Sequence, residues 1–183
     1  PKTYADLLKP EYAGLIAMPD PKSSGTGYFF YKNWVNLWGE EGALSYVDQL
    51  HGNLKQFTES GSGPIKLLKQ GEVAIGLALT FQAVTEINNG QPFEIIFPPE
   101  GSPYSLTGTA VLAGHEDKNG VSEVFDYIIH EGLLQDKAQF SPEIICRDQT
   151  VSLPNYPENI LYADMTGIQD DKEKERLLAL WKY

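Results

Sequence analysis

Short apolar runs alternate with helix-spaced apolar stripes along the 183-residue chain. Continuous apolar runs of strand length lie at 15–18, 72–79, 92–97 and 109–113, with a shorter one at 160–162. Apolar residues recur at helical spacing at 30–38, 43–54, 65–68, 121–129 and 170–181. Strands that are apolar throughout are typical of sheets covered by helices on both faces, so the alternation predicts an α/β fold.

The loop between the first strand and the first long helix carries the clearest candidate chemistry. Pro19 and Pro21 end the strand, and Ser23 or Ser24 is a good N-cap for the helix. The first N–H groups of a helix have no intrahelical partner and attract anions. Four such donors are predicted to converge here, from Ser24, Gly25, Thr26 and Gly27. Simple capping explains the same residues, and the loop has neither a Walker ending nor a GxGxxG pattern.

Two further polar turns are candidate ligand contacts for similar reasons. Ser62 stands two residues before Pro64 at the start of a predicted helix. Thr80, Phe81 and Gln82 follow the run at 72–79, at the end of the strand where open α/β sheets place ligands. Helix capping is the plainer alternative at both turns.

Composition and residue spacing argue against several classes of function. A net charge of −11 argues against nucleic-acid binding, which needs Lys and Arg to neutralise phosphates. The lone Cys146 allows no internal disulfide, and His51, His115 and His130 show no metal-ligand spacing, so neither a metal site nor a cofactor is predicted. Ser24 as a nucleophile would need a partner histidine and an acid, and no G-x-S-x-G elbow exists, so catalysis is not predicted.

The order of the segments resembles the second lobe of type II solute-binding proteins of bacterial ABC transporters, the group that includes ferric-ion and 2-aminoethylphosphonate binders. The segments that carry the resemblance are 4–8 with Pro10, 12–14, 16–26, 70–76, 98–101 and 109–114. The resemblance implies a three-layer lobe with a mixed, mostly parallel sheet flanked by helices. It also implies three regions: the second lobe at 1–98, a hinge crossing and a segment that joins the first lobe at 99–140, and terminal helices at 141–183.

By that resemblance, the protein captures a small solute between two lobes and delivers it to a membrane permease, in the periplasm or, in a Gram-positive organism, at the cell surface as a lipoprotein. The family's anion-holding turn matches Ser24, Gly25 and Thr26, with Ser23 beside it. Further contacts are implied for the positions that match Gly61, Ser62, Thr80, Phe81 and Gln82.

One departure from the family bears on the solute. Ferric binders carry adjacent tyrosines where this chain has Thr80-Phe81-Gln82, so no phenolate is available for bare ferric ion. An organic anion that bears phosphate or phosphonate fits the donors better, and an iron complex with an anion is a further option. The alternative class is the ligand-sensing domain of a transcription regulator, which shares the architecture.

A second departure concerns the extent of the chain, which begins with Pro1 and contains no counterpart of the family's first lobe. We therefore expect a fragment whose N-terminal lobe is missing. The apolar faces at 109–113 and 121–129 would then lose their neighbours, so we expect them to fold back on the lobe or to pair with another copy.

Overall fold

The computed structural model describes residues 1–140 and 152–183. Two 3₁₀ helices, Ala5–Leu8 and Pro10–Tyr12, precede strand β1. The other elements, in chain order, are β1 (Ile16–Pro19), α1 (Gly25–His51), β2 (Leu54–Thr58), α2 (Gly63–Lys69), β3 (Ile75–Gly76), α3 (Thr80–Asn88), α4 (Val121–Tyr127), a π-helical turn (Ile128–Gly132), α5 (Leu133–Gln139) and α6 (Asp171–Leu180). No helix in the described ranges is long and apolar enough to cross a membrane.

The sheet has β1 at its centre, in the order β2-β1-β3. Both pairings are parallel, with Pro19 opposite Thr58 and Ala17 opposite Gly76. All four residues of β1 are buried, as the uninterrupted apolar run predicts. The α/β prediction is confirmed, and the pairings among the described strands are all parallel rather than mixed.

Helix α1 supplies most of the core. Trp34 is fully buried and makes edge contacts with Tyr4 and Tyr46, at ring-centroid distances of 5.9 and 4.9 Å. Trp38 is 38% exposed, and the next residue, Gly39, has a φ of 73° that breaks the helical repeat. Gly39 therefore separates the two helical stripes predicted at 30–38 and 43–54.

Helix α6 returns to pack against α1. Asp170 caps its N-terminus by accepting hydrogen bonds from the amides of Lys172 and Glu173 at 2.9 and 3.1 Å. Leu177 on its inner face is fully buried. Lys32 of α1, whose side chain is only 3% exposed, forms an ion pair with Glu173 at 2.8 Å. Helix α6, near the end of the chain, thus packs on α1 and completes the hydrophobic core.

Several strand predictions were wrong. Leu54, the first residue of β2, was assigned to the end of the preceding helix, which instead stops at His51, and the rest of β2 was not predicted. The strand predicted at 72–79 pairs over only two residues, and those at 92–97 and 109–113 form no strand. Of 160–162, only Tyr162 pairs, in an isolated bridge with Ser102. A strand needs a neighbouring strand for its backbone groups, and apolar periodicity says nothing about that neighbour.

The region from 104 to 140 is exposed. Leu112 and Val124 are 73% and 59% exposed, and helix α4 has no buried residue. Folding back onto the lobe, one of the two outcomes expected for these faces, is therefore not what the described residues do; pairing with another copy stays a prediction. The turns predicted at 141–151 and the lone Cys146 lie outside the described residues.

Candidate anion-binding site

Loops from the three parallel strands meet at one edge of the sheet. The loops that follow β1 and β2 are held together by a hydrogen bond from the Asp20 amide to the Thr58 carbonyl, at 2.8 Å. Thr26 at the start of α1 and Thr80 at the start of α3 line the same cavity of about 510 Å³. The structure thus brings one residue from each of two predicted turns to the carboxyl end of the sheet, the usual ligand position in open α/β folds.

The first loop differs from its prediction in its donors. The amides of Ser23 and Ser24 both donate to the Asp20 carbonyl, at 3.2 and 2.8 Å, so neither is free for an anion. No described residue accepts a hydrogen bond from the amides of Gly25, Thr26 or Gly27. Ser24 occupies the N-cap position, but its hydroxyl makes no capping bond. The free donors are therefore three amides, of which that of Gly27 lies against the end of β1, and the nearby hydroxyls.

The hydroxyls of Ser24 and Thr26 are largely shielded from solvent, at 8% and 9% residue exposure. Ser23, in contrast, is exposed. Gly27, one residue further on, packs so tightly against the end of β1 that an added Cβ would overlap the Pro19 carbonyl and the Asp20 backbone. The strand end therefore fixes the position of the helix start.

The second loop lies directly on the first. A Cβ added to Gly61 would overlap the Thr26 hydroxyl and would lie 3.6 Å from that of Ser24, so only glycine allows this approach. Ser62 stands at the N-cap of α2 without a capping bond and shares a 3.2 Å hydrogen bond with the Ser60 hydroxyl. Gly61 therefore lies beside Ser24 and Thr26, and Ser62 follows it at the start of α2.

The third turn is only partly assembled with the others. Leu79, not Thr80, is the N-cap residue of α3, which rules out the capping alternative for Thr80. Phe81 contacts Phe140 edge-on at 6.5 Å, and neither Phe81 nor Gln82 lines the cavity that Thr26 and Thr80 share. The Oε1 atom of Gln82 is buried and has no partner among the described residues.

The charged side chains of the loop after β1 do not join the group of donors around Ser24 and Thr26. Lys22 is held elsewhere, since its Nζ donates to the Trp181 carbonyl at 2.7 Å. The carboxylate of Asp20 accepts from the Lys22 amide at 2.9 Å. One turn into α1, burial and the nearby carboxylate of Glu173 raise the pKa of Tyr28 to about 12, so its phenol stays neutral. No group of three or more His, Cys, Asp or Glu side chains suited to a metal occurs within the described ranges.

Sequence reasoning missed a polar cluster beside Gly101. The Tyr4 hydroxyl donates to the Gly101 carbonyl at 3.1 Å, and the Asn33 side-chain amide donates to the Tyr4 hydroxyl at 3.0 Å. Burial raises the pKa of Tyr4 above its usual range. Tyr4 and Gly101 fall in segments that carry the family resemblance, whereas Asn33 lies within an aromatic helical stripe that masks a polar role.

Comparison with known proteins identifies the family. Residues 1–163 match the family described as bacterial extracellular solute-binding proteins. The chain belongs to this family. The fold is similar to that of the periplasmic binding protein AfuA from Actinobacillus pleuropneumoniae, solved with exogenous fructose-6-phosphate bound, with a TM-score of 0.81 and 27% identity over 99% of this chain and 59% of that one.

Two curated relatives extend the comparison. An uncharacterized protein of Haemophilus influenzae is 34% identical over 129 residues, which is 70% of this chain and 37% of that protein. The spermidine/putrescine-binding periplasmic protein of Salmonella typhimurium is 24% identical over 147 residues, 76% of this chain and 42% of that protein. The chain thus spans about two fifths of the length of these relatives. The Salmonella relative and AfuA are both binding proteins by name.

Proposed function

We propose that this chain is the anion-holding lobe of a solute-binding protein that serves an ABC importer. The observation that carries the proposal is the pair of free amides at Gly25 and Thr26, set among the shielded hydroxyls of Ser24 and Thr26 and against Gly61. A helix start with unpartnered amides favours an anion, because both the N–H donors and the helix dipole are oriented toward it.

The solute that fits this arrangement carries a phosphate or phosphonate group. The donors are neutral and fixed by the backbone, which suits a compact oxyanion with several acceptor oxygens. The likeness to a protein solved with a sugar phosphate supports this class. An iron complex would bind here through its anion, since Thr80, Phe81 and Gln82 offer no phenolate.

A polyamine, the ligand in the name of the Salmonella relative, is the contrasting solute class. A polyamine presents only N–H donors and requires carboxylates or carbonyls as partners. The loops around Thr26 offer N–H and O–H donors instead. The anion is therefore the solute class that this edge of the sheet favours.

The complete protein would close a second lobe over this edge and present the loaded form to a membrane permease. Lobe closure around a ligand is a hinge motion that requires no chemistry at the ligand, so the proposed function is binding without catalysis. The protein would bind its solute outside the cytoplasmic membrane, in the periplasm or, if it is lipid-anchored, at the cell surface.

Isothermal titration calorimetry of the complete protein tests the proposal, with inorganic phosphate, a hexose phosphate, 2-aminoethylphosphonate, putrescine and ferric citrate as the probes. We expect one of the phosphorus-bearing anions or the ferric complex to bind, and Ser24→Ala combined with Thr26→Val to weaken that binding about tenfold or more, because each lost hydrogen bond to a charged group contributes about 1.5–3 kcal/mol.

Thr85→Val is the matched control, because the Thr85 hydroxyl bonds only the Phe81 carbonyl within α3, at 2.8 Å. It should leave the affinity unchanged. Binding of putrescine alone, or an anion affinity that the double substitution does not change, would refute the proposal.

A further inference from the structure

The chain contains two Asn-Gly pairs, Asn89-Gly90 and Asn119-Gly120. In such a pair the glycine nitrogen can reach the carbon of the asparagine side-chain amide, because glycine has no side chain that hinders the approach. Both asparagines are exposed, and nothing lies within 4 Å of the position that a Cβ would occupy at either glycine. Sequence and exposure therefore do not distinguish the two pairs.

The first pair is held by hydrogen bonds at the end of helix α3. The Gly90 amide donates to the Ile87 carbonyl at 2.9 Å, and the Asn89 amide donates to the Thr85 carbonyl at 3.0 Å. Gly90 has a φ of 89°, the left-handed conformation in which glycine commonly ends a helix. The Gly90 nitrogen therefore turns toward the Asn89 side chain only when the end of the helix opens.

The second pair has a glycine nitrogen that is free. The Val121 amide donates to the Lys118 carbonyl at 3.1 Å, which closes a turn with Asn119 and Gly120 at its two central positions. Gly120 has a φ of 82° and a ψ of −7°, the values of the third residue of a type II turn. No described residue accepts a hydrogen bond from the Gly120 amide. The nitrogen that would attack Asn119 is therefore not held by a hydrogen bond.

The surroundings of Asn119 also leave its backbone free to rotate. Helix α4, whose N-cap position is Gly120, has no buried residue and contacts mainly the π-helical turn that follows it. Helix α3, in contrast, buries Val84 one turn before Asn89. Segments with few buried contacts open locally at a small cost in free energy. Asn119 therefore reaches the geometry for attack by its glycine more often than Asn89.

We propose that Asn119 is a site of spontaneous deamidation and that Asn89 is protected from it in the folded protein. The Gly120 nitrogen attacks Cγ of Asn119. The new N–Cγ bond forms as the bond from Cγ to the side-chain nitrogen breaks, and that nitrogen leaves as ammonia with the proton that the Gly120 nitrogen loses. Water then opens the cyclic imide at either carbonyl group, which gives aspartate or isoaspartate at position 119.

The modification changes both charge and backbone. Either product adds one negative charge to a chain whose net charge is already −11. Isoaspartate also places an extra carbon in the main chain between Lys118 and Val121, so the hydrogen bond that closes the turn loses its geometry. Old protein should therefore be a mixture of forms that differ in charge and in the turn before α4. This inference does not rest on the proposed anion site.

Peptide mapping by mass spectrometry, on the complete protein incubated in mildly alkaline buffer, tests the proposal. The fraction of acid in place of amide is followed at both asparagines. We expect Asn119 to convert about tenfold faster than Asn89 or more, because the Gly90 amide must first leave the Ile87 carbonyl. In urea, where both turns are unfolded, the two rates should become similar.

Asn119→Gln is the matched control, because it keeps the exposed amide but would have to close a larger ring. It should abolish conversion at this position, together with the acidic form on isoelectric focusing, and leave the rate at Asn89 unchanged. Equal rates at the two asparagines of the folded protein would overturn the proposal. So would an Asn119 that stays intact in the folded protein over the time in which it converts in urea.

Discussion

The region around α1 and the region from 104 to 140 have similar apolar patterns but different surroundings. Trp34, Val47 and Leu50 are fully or almost fully buried, whereas Leu106 and Leu112 are 61% and 73% exposed. Helix α1 contacts β1, the first 3₁₀ helix and the returning α6, while α4 and α5 contact mainly the π-helical turn between them. This contrast shows that an apolar stripe identifies a helix face that needs a packing partner. The stripe does not show whether that partner lies within these 183 residues.

The largest test of this contrast compares Trp34→Ala with Leu112→Ala. Removing the buried indole should lower the free energy of unfolding by about 3–5 kcal/mol, because it leaves a cavity. Removing the exposed leucine should change it by less than about 0.5 kcal/mol. Urea denaturation followed by circular dichroism measures both, and comparable losses would show that the 104–140 region is packed in solution.

A steric test at the proposed site uses two glycines of the same helical turn. Gly27→Ala should cost about 1–3 kcal/mol, since the new methyl group meets the Pro19 carbonyl and must displace the helix start. Gly25→Ala is the control, because nothing lies within 4 Å of its Cβ position. Thermal melts measure stability and calorimetry measures anion affinity. Equal melting temperatures for the two variants would contradict the packing described here.

Alkaline pH provides a third test, in which the buried region around α1 should lose stability. Burial raises the pKa of Tyr28 and of Tyr31 from 10.0 to about 12 in the folded chain. A raised folded pKa means that this stability is complete below pH 10.0 and is lost as pH rises toward about 12. The urea midpoint should fall across this range while tyrosinate absorbance lags behind that of free tyrosine. A midpoint that stays constant would refute the burial of these two phenols.

The smallest expected effect is at the start of α6, which closes the buried region. Asp170→Ala removes the oxygen that accepts the amides of Lys172 and Glu173, at a cost of about 1 kcal/mol. Asp171→Ala, which removes a first-turn carboxylate but no cap, should cost clearly less. Chemical denaturation of the two variants measures the difference, and the reverse order would place the cap elsewhere.

The pattern of apolar and polar residues along the chain was sufficient to predict most of the helices and the central strand. The apolar run at 15–18, the helix after Ser24, the break at Gly39 and the terminal helix with Leu177 inward all follow from periodicity, capping and glycine chemistry. Strand β2 was missed because its alternating residues follow directly on a helical stripe. The turn at Gly52 and Asn53 was the signal that separated them.

At the candidate site, the sequence identified the loops but not their hydrogen bonds. Ser24 was predicted to offer its amide, yet Asp20 already accepts that amide, and only the fold decides such competition. The approach of Gly61 to Thr26 joins residues distant in sequence, as does the Tyr4, Asn33 and Gly101 cluster.

By itself, the sequence determined the α/β class, the polar turns at the strand ends and the family, because periodicity, capping and motif order are local properties. The tertiary structure alone decided which amides of the loop after β1 remain free, which strand-like segments find a neighbour and which apolar faces stay exposed. Each of those outcomes depends on the group that lies opposite in space, and local sequence carries no information about that group.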